Sequence, residues 1–367
     1  MKTNIFLRNI GLALWFALLI TICNDVTAQR DSENDKELRR YLFYNPRADL
    51  NGDGVLTQHE FGRYERMLDY IESRQEHLVR MPEMTLADHS YGPHWRNTFD
   101  FWKAESDQPT PLLIFFHGGG FLGGDKSNYY GDSLAIACLE NGISVITANY
   151  RYTIHSRFPG PFLDAARLIQ FVRYHSEELG IDPERIATTG ASAGGNLSSW
   201  LAVRDDLADP SNPDPVLRES TRLTTVIPVN AQTSNDPVFW RNFIYSGSGV
   251  HNSAWDFFGL DEMDWSELLE HFSQDDYIKI ARESSAINFI SEDDPPVFFI
   301  NPERVEEWDG NPLPEGTPQS VYAHHVAFAV LFKEKYDELG LEARIGAQRD
   351  ITAQEKLDWL KRHFGWD

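Results

Sequence analysis

From about residue 95 onward, the chain alternates short apolar segments with longer amphipathic ones, and this alternation constrains its fold more than any other feature. The apolar segments are almost continuous in Val, Ile, Leu and Phe, which is typical of strands covered on both faces. Strands are predicted at 111–117, 143–150, 185–190, 224–230, 296–301 and 342–347. Helical patterns lie between or after them, near 130–140, 161–179, 194–206, 321–339 and 352–364. The alternation predicts an α/β fold with a doubly wound, mostly parallel sheet.

Residues 236–284 break this alternation and are predicted to form an inserted lid over the carboxyl ends of the strands. The segment contains three tryptophans, Trp240, Trp255 and Trp265. Such residues most simply form the core of a lid, and the alternative is that they contact a sugar or ester ligand.

The first 28 residues have the pattern of a signal peptide. Lys2 and Arg8 precede a short apolar segment, and small residues then precede a cleavage position after Ala28. The protein is therefore predicted to be secreted or periplasmic, with no stable membrane span in the mature chain. The alternative is a lipoprotein anchored through Cys23.

The overall charge limits the possible partners. The chain has 56 acidic and 33 basic residues and a formal net charge of −23. A nucleic acid-binding surface needs clustered Lys and Arg, so a nucleic acid partner is excluded. The composition does not indicate an oligomeric state.

Residues 49–60, with the sequence DLNGDGVLTQHE, resemble the calcium-binding loop of an EF-hand. The glycine at the sixth loop position, Gly54, permits the sharp turn, and the apolar Leu56 at the eighth position points into the module. A structural calcium ion is therefore predicted in an amino-terminal module at residues 29–85; an Asx-rich turn without metal is the alternative. The predicted ligands are Asp49, Asn51, Asp53, Val55, Thr57 and Glu60.

Two glycine-rich segments follow predicted strands. In GASAG, Gly190 and Gly194 flank Ser192, and a serine held in such a tight strand-to-helix turn is typical of a nucleophile. In HGGGF, the backbone N–H groups of Gly119 and Gly120 can approach an oxyanion, together with the N–H group of Ala193. Each segment alone also fits an ordinary bend, but their order and strand context indicate a site for acyl transfer.

These segments, together with NYRY, DPERI and SSAINFISEDDPPVFFI, resemble the α/β-hydrolase fold, and specifically the hormone-sensitive-lipase-like esterases. The resemblance extends over about residues 110–345. It implies a hydrolase domain, which we place at 86–367, and a serine nucleophile followed along the chain by an acid and then a histidine.

The acid implied by this resemblance is missing from its usual place. The segment after the strand at 296–301 is NPERVEEWDGN, and an ungapped alignment puts Val305 at the position of the acid. We favour Glu303 over Asp309 as a replacement. The other candidates are Glu306, Glu307 and Asp236.

The histidine is also missing, because the segment after the last predicted strand, GAQRDITAQEK, contains none. His325 is the first choice for the base and His324 the second, although histidines at a helix start are more often caps or packing residues. His363 is expected on the surface of the last helix. His117 and His155 are expected to be structural or to face the substrate.

The leading prediction is a secreted serine carboxylic-ester hydrolase with a non-standard or incomplete triad. It would act on a small-molecule or carbohydrate ester and would need no cofactor for catalysis. The alternative is a catalytically degenerate protein that binds a sugar or an ester. An imidazole within hydrogen-bond reach of Ser192 favours the enzyme, since serine needs a base to become a nucleophile.

Overall fold

The computed structural model describes residues 30–247, 257–258 and 275–366. The predicted signal peptide with Cys23 lies outside these residues, as do Trp255, Trp265 and the other lid residues at 248–256 and 259–274. The chain forms two compact units, Met1–Tyr64 and Glu65–Asp367. The module boundaries placed at 28 and 85 stay predictions.

The first unit contains the helix α1 (Lys36–Tyr44), the loop at 49–60 and the beginning of α2 (Gln58–Arg74). The side chain of Asp35 caps α1 by accepting hydrogen bonds from the N–H groups of Glu37 and Leu38. Leu38 and Leu56 are buried apolar side chains of this unit, at 5% and 0% exposure, together with Ala48, Leu50 and Tyr64.

The second unit is built around one eight-stranded sheet, in the order β1-β2-β4-β3-β5-β6-β7-β8. The strands from β3 to β8 are parallel to their neighbours, while β1 pairs with β2, and β2 with β4, in antiparallel fashion. The strands are β1 (Leu86–Ser90), β2 (Thr98–Trp102), β3 (Thr110–Phe116), β4 (Ser144–Ala148), β5 (Ile181–Ala191), β6 (Thr225–Val229), β7 (Val297–Asn301) and β8 (Ala343–Ala347).

The parallel strands lie where the apolar segments predicted them, and the predicted fold class is confirmed. The antiparallel strands β1 and β2 were not predicted. Strand β1 is mostly polar and exposed at the edge of the sheet, so its sequence resembles a loop. In β2 the buried Asp100 interrupts the apolar pattern, and Lys126 and Tyr130 bind its carboxylate.

Helices cover both faces of the sheet, as expected for a doubly wound fold. No helix among the described residues is long and apolar enough to cross a membrane. The remaining α-helices of the described residues are α3 (Ser133–Glu140), α4 (Gly160–Tyr174), α5 (Ser176–Leu179), α6 (Ala193–Val203), α7 (Pro237–Phe239), α8 (Asp275–Ser284), α9 (Gln319–Tyr322), α10 (Ala327–Glu338) and α11 (Ala353–Phe364). The π-helix Trp240–Ile244 follows α7.

Alternate residues of the central strands point into two apolar cores, one on each face of the sheet. In β7, Phe299 packs against Phe332 of α10, whereas Phe298 packs against Trp359 of α11. Cys138 of α3 is fully buried in the second core. This packing fixes the carboxyl ends of β3, β5, β6 and β7 at one edge, where ligands bind in open α/β sheets.

Candidate active site

Ser192 lies at the turn between β5 and α6 and has a strained backbone. Its φ and ψ angles are 54° and −117°, outside the regions that a serine ordinarily adopts. Its N–H group donates to the carbonyl oxygen of Val229, at 2.9 Å. A Cβ atom on Gly190 or on Gly194 would overlap the carbonyl oxygen of Phe116, so both positions require glycine. The turn thus has the geometry of a nucleophile elbow.

The segment 117–124, which we call the oxyanion loop, follows β3 and lies against this elbow. A Cβ atom on Gly118 would come within 2.8 Å of the carbonyl oxygen of Ala191. Gly119 and Gly120 have φ angles of 112° and 60°, and their N–H groups donate to no other residue that the structure describes. Ala193 begins α6, so its N–H group has no acceptor within that helix. These three N–H groups are the donors that an oxyanion would need.

Among the histidines that the structure describes, His324 is the one that contacts Ser192. Its Nε2 atom lies 3.0 Å from Ser192 Oγ, and its Nδ1 atom lies 2.9 Å from the carbonyl oxygen of Ser320. A carbonyl oxygen only accepts hydrogen bonds, so Nδ1 carries a proton. In the neutral ring Nε2 therefore has a free lone pair facing the serine hydroxyl. This is the arrangement of a general base with its nucleophile.

His325, the first choice for the base, is not at Ser192. Its side chain is 4% exposed, its ring meets the edge of Trp308 at 6.0 Å, and burial lowers its pKa. Both histidines lie in the turn between α9 and α10. The ring of His324 faces Ser192, whereas that of His325 faces Trp308. The geometry favours the second choice, His324.

Glu303, the favoured acid, lies near His324 but does not bond its Nδ1 atom. Its Oε2 atom accepts the N–H group of Val326, at 3.2 Å, just before α10 begins. Burial raises the pKa of Glu303, the Val326 N–H bond opposes this rise, and Glu307 and His324 shift it in opposite directions. The ring is held by the Ser320 carbonyl, so Glu303 can act on the ring only through its charge.

The other candidate carboxylates make local contacts elsewhere. Asp309 is exposed and accepts the N–H group of Asn311, while Asp236 caps α7 by accepting that of Val238. Glu307 pairs with Arg349. Val305 begins a short 3₁₀ turn, and Glu306 in the same turn is exposed.

The remaining predicted residues have packing roles in the structure. His117 is fully buried and stacks on Tyr150, with ring centroids 4.2 Å apart, and His155 stacks on Tyr152 at 5.2 Å. His363 packs against Trp359 on α11 and is partly buried. Among the lid tryptophans, Trp240 is described: its Nε1 donates to Ser234, and its ring packs against Tyr322 and Phe328.

Two contacts of the candidate site were not predicted from the sequence. Ser320 acts through its backbone carbonyl, which no side-chain motif reports; its position four residues before His324 was the available signal. Tyr129 links β3 to the elbow, because its hydroxyl donates to Phe116 and accepts the N–H group of Ala191. The position of Tyr129 in the sequence, beyond the oxyanion loop, did not indicate that its hydroxyl connects Phe116 with Ala191.

In the loop at 49–60, the carboxylates of Asp49 and Glu60 accept hydrogen bonds from backbone N–H groups of the loop itself. Gly54 has a φ angle of 87°. Glu60 is 2% exposed, and its two oxygens accept N–H groups of Asn51 and Thr57, at 3.2 and 3.0 Å. Asp49 accepts those of Gly52 and Gly54. Within the described residues, no three His, Cys, Asp or Glu side chains are gathered closely enough to hold a metal ion.

The sheet order, the elbow and the adjacent glycine-rich loop together define an α/β hydrolase. The chain belongs to the BD-FAE family, whose match extends over residues 100–305, more than half of the chain.

Curated relatives and solved structures agree with this class. The chain is 32% identical over 146 residues to a probable carboxylic ester hydrolase, LipM, of Mycobacterium tuberculosis, a match covering 39% of this chain and 33% of that relative. It therefore spans about a third of that relative's length. A truncated carbohydrate esterase from gut microbiota is 17% identical, with a TM-score of 0.55, over 76% of this chain and 96% of that one. An acetyl ester-xyloside bifunctional hydrolase from Caldicellulosiruptor lactoaceticus is 24% identical, with a TM-score of 0.52, over 73% and 86%. These two structures share the fold.

Proposed function

We propose that this protein is a serine carboxylic-ester hydrolase in which Ser192 is the nucleophile and His324 the general base. The observation that carries the proposal is the 3.0 Å distance between His324 Nε2 and Ser192 Oγ. It is supported by the oxyanion loop beside the elbow and by the carboxylic ester hydrolases among the curated relatives.

The reaction would proceed through an acyl-enzyme. His324 Nε2 takes the proton of Ser192 as Oγ attacks the ester carbonyl carbon, and the N–H groups of Gly119, Gly120 and Ala193 bind the resulting oxyanion. The imidazolium then gives its proton to the leaving alcohol as the ester C–O bond breaks. The same imidazole then deprotonates a water molecule, which attacks the acyl carbon. As the bond between Oγ and that carbon breaks, the imidazolium returns the proton to Ser192 and the carboxylic acid leaves.

The base would be oriented by a backbone carbonyl, with a carboxylate nearby. The Ser320 carbonyl holds His324 Nδ1–H and selects the reactive tautomer, which is one of the two tasks of the acid in a triad. The other task is to stabilise the imidazolium by charge. Glu303 lies close enough to interact electrostatically with His324, so we assign it this second task.

The alternative, a binding protein that has lost its base, predicts no imidazole at Ser192. The contact between His324 and Ser192 favours the enzyme over this alternative. The described part of the lid also gives no support to a ligand-binding role, because Trp240 packs against Tyr322 and Phe328. That packing supports a structural role for Trp240.

The experiment is hydrolysis of a short-chain aryl ester by the unmodified protein and by Ser192→Ala. We expect turnover by the first and a loss of about 10³-fold or more in kcat for the second, since the nucleophile is removed. The natural substrate, whether a small-molecule or a carbohydrate ester, is then identified by comparing kcat/KM values. Equal turnover by Ser192→Ala would refute the proposal.

We also propose that the loop at 49–60 binds a structural calcium ion, in a protein exported by its amino-terminal signal. Asp49, Asn51, Asp53, Thr57 and Glu60 would supply side-chain oxygens, and Val55 its backbone carbonyl. Glu60 supports this fit, because its buried carboxylate already reaches back to loop positions 3 and 9. Binding would require the carboxylates to exchange their present N–H partners for the ion.

Calcium titration of the full chain tests this assignment. We expect calcium to raise Tm, and Glu60→Gln to abolish the rise because the bidentate ligand is lost. His59→Gln is the matched control, since this neighbouring residue is not a predicted ligand. If Glu60→Gln bound as much calcium as the unmodified protein, the loop at 49–60 would not be the calcium site.

A further inference from the structure

Arg96 is a buried cation beneath the oxyanion loop that the reaction outlined above does not use. Its side chain is 1% exposed, and its Nε donates to the carbonyl oxygen of Tyr150, at 2.8 Å. Its Nη2 lies 3.1 Å from both His117 Nε2 and Asn149 Oδ1, and 3.3 Å from the carbonyl oxygen of Gly124. The guanidinium thus contacts both ends of the loop.

The contact with Arg96 determines which nitrogen of His117 carries the proton. Burial, together with the positive charge of Arg96, lowers the pKa of His117 to about 3, so the ring is neutral and has one N–H group. A guanidinium only donates, so Nε2 of His117 must accept. The proton is then on Nδ1, which donates to the carbonyl oxygen of Gly118 at 2.8 Å.

The Gly118 carbonyl is coupled to an oxyanion donor by the geometry of the peptide bond. The C=O group of Gly118 and the N–H group of Gly119 belong to one trans peptide plane and point in opposite directions. Holding the Gly118 oxygen towards His117 therefore directs the Gly119 N–H group away from it. The hydroxyl of Tyr150 holds the carbonyl oxygen of His117 itself, at 2.6 Å.

The charge of Arg96 is balanced within the same network. Asn149 accepts from Arg96 and donates to Asp125, at 2.9 Å. Burial works to raise the pKa of Asp125, but Arg96 and the Ser127 N–H group outweigh it and keep that pKa below its usual value. A negative charge close to Arg96 reduces the cost of burying the guanidinium.

We propose that Arg96 is a positioning residue of the oxyanion loop: its bond to His117 Nε2 makes Nδ1 hold the Gly118 carbonyl, and this directs the Gly119 N–H group at the reacting carbonyl oxygen. The proposal rests on the ester hydrolysis proposed above. It concerns the transition state, where the negative charge develops, more than substrate binding.

Arg96→Met tests the proposal, because methionine is similar in length and has no donor. We expect kcat to fall about 10²-fold, the loss for one oxyanion donor, while KM changes less than threefold. Arg96→Lys, which restores one donor, should recover at least part of the lost kcat. Arg167→Met is the matched control: this arginine also donates to a backbone carbonyl, that of Tyr91, but lies outside the loop network, so kcat should be unchanged. Unchanged kcat in folded Arg96→Met would overturn the proposal.

A spectroscopic measurement separates this proposal from the proposed activity. Nitrogen-15 NMR of histidine-labelled, unmodified protein should show His117 protonated on Nδ1, and the ring of Arg96→Met should lose this single tautomer. The measurement needs no turnover, so it holds even if the protein cleaves no ester, and it needs no variant if Arg96→Met fails to fold. A His117 ring protonated on Nε2 in the unmodified protein would contradict the proposal.

Discussion

The two halves of the candidate site are built in different ways. The nucleophile half, the elbow around Ser192 and the oxyanion loop, is held by backbone approaches so close that they require glycine at positions 190, 194 and 119. In the base half, from Asn301 to Val326, His324 lies in the turn that follows α9, and the carbonyl oxygen of Ser320 holds its ring. The first half matches the sequence pattern of the fold, whereas the second departs from it.

This difference shows which residues of such a site can be supplied from different positions in the sequence. An elbow and an oxyanion loop need a strand end, a helix start and strained backbone together, and few segments of a sheet supply all three. A base needs only an imidazole nitrogen about 3 Å from the serine hydroxyl. Several segments at the carboxyl edge of the sheet can provide that.

Separate alanine substitutions of the two adjacent histidines test the base half most strongly. We expect His324→Ala to lower kcat by roughly 10²–10⁴-fold, because general-base assistance is lost. His325→Ala should keep kcat within about threefold and lower Tm, because a buried ring is replaced by a cavity. The measurement is aryl-ester hydrolysis beside thermal unfolding of both variants. If His325→Ala alone caused a large loss of kcat, His325 and not His324 would be the general base.

The sequence predicted the fold and the nucleophile half because these depend on local patterns. Continuous apolar segments specify the parallel strands, and the glycines flanking Ser192 specify the elbow. The base could not be assigned, since His324 and His325 are adjacent and lie in the same sequence segment. Only the direction of the turn that follows α9 distinguishes them. The Ser320 carbonyl was not predictable from residue type, because every residue has one.

Paired alanine substitutions in the oxyanion loop test the nucleophile half. Gly119 has a φ angle of 112°, and a Cβ atom there would overlap the carbonyl oxygen of Gly123. Gly119→Ala should therefore displace the N–H donor and lower kcat by about 10²-fold. Gly123 has open space where a Cβ atom would lie, so Gly123→Ala should retain activity. If both variants had equal kcat, the loop would not be the oxyanion site.

The smallest expected effect concerns the charge of Glu303. Glu303→Gln keeps an oxygen for the Val326 N–H group and removes the charge, whereas Glu303→Ala removes both. We expect Gln to lower kcat by roughly two- to fivefold, as for a partly exposed ion pair. Ala should be ~1 kcal/mol less stable than Gln, because it also loses the hydrogen bond from the Val326 N–H group. If Glu303 instead supported His324 through a direct hydrogen bond, both variants would lose much more of their kcat.

The pH dependence of the same variants tests the charge itself. Burial raises the pKa of Glu303 in the folded protein, so the folded state favours the protonated form, and ionisation of this group costs stability as pH rises above the unfolded value. Glu303→Gln should remove that cost at pH 7 and should not change stability at pH 3, where the carboxyl is protonated in both states. The kcat defect should also shrink at acid pH, since Glu303 loses its charge there and then resembles Gln. A defect that stayed constant across the titration of Glu303 would mean that its negative charge does not assist His324, leaving the Ser320 carbonyl as the support of the base.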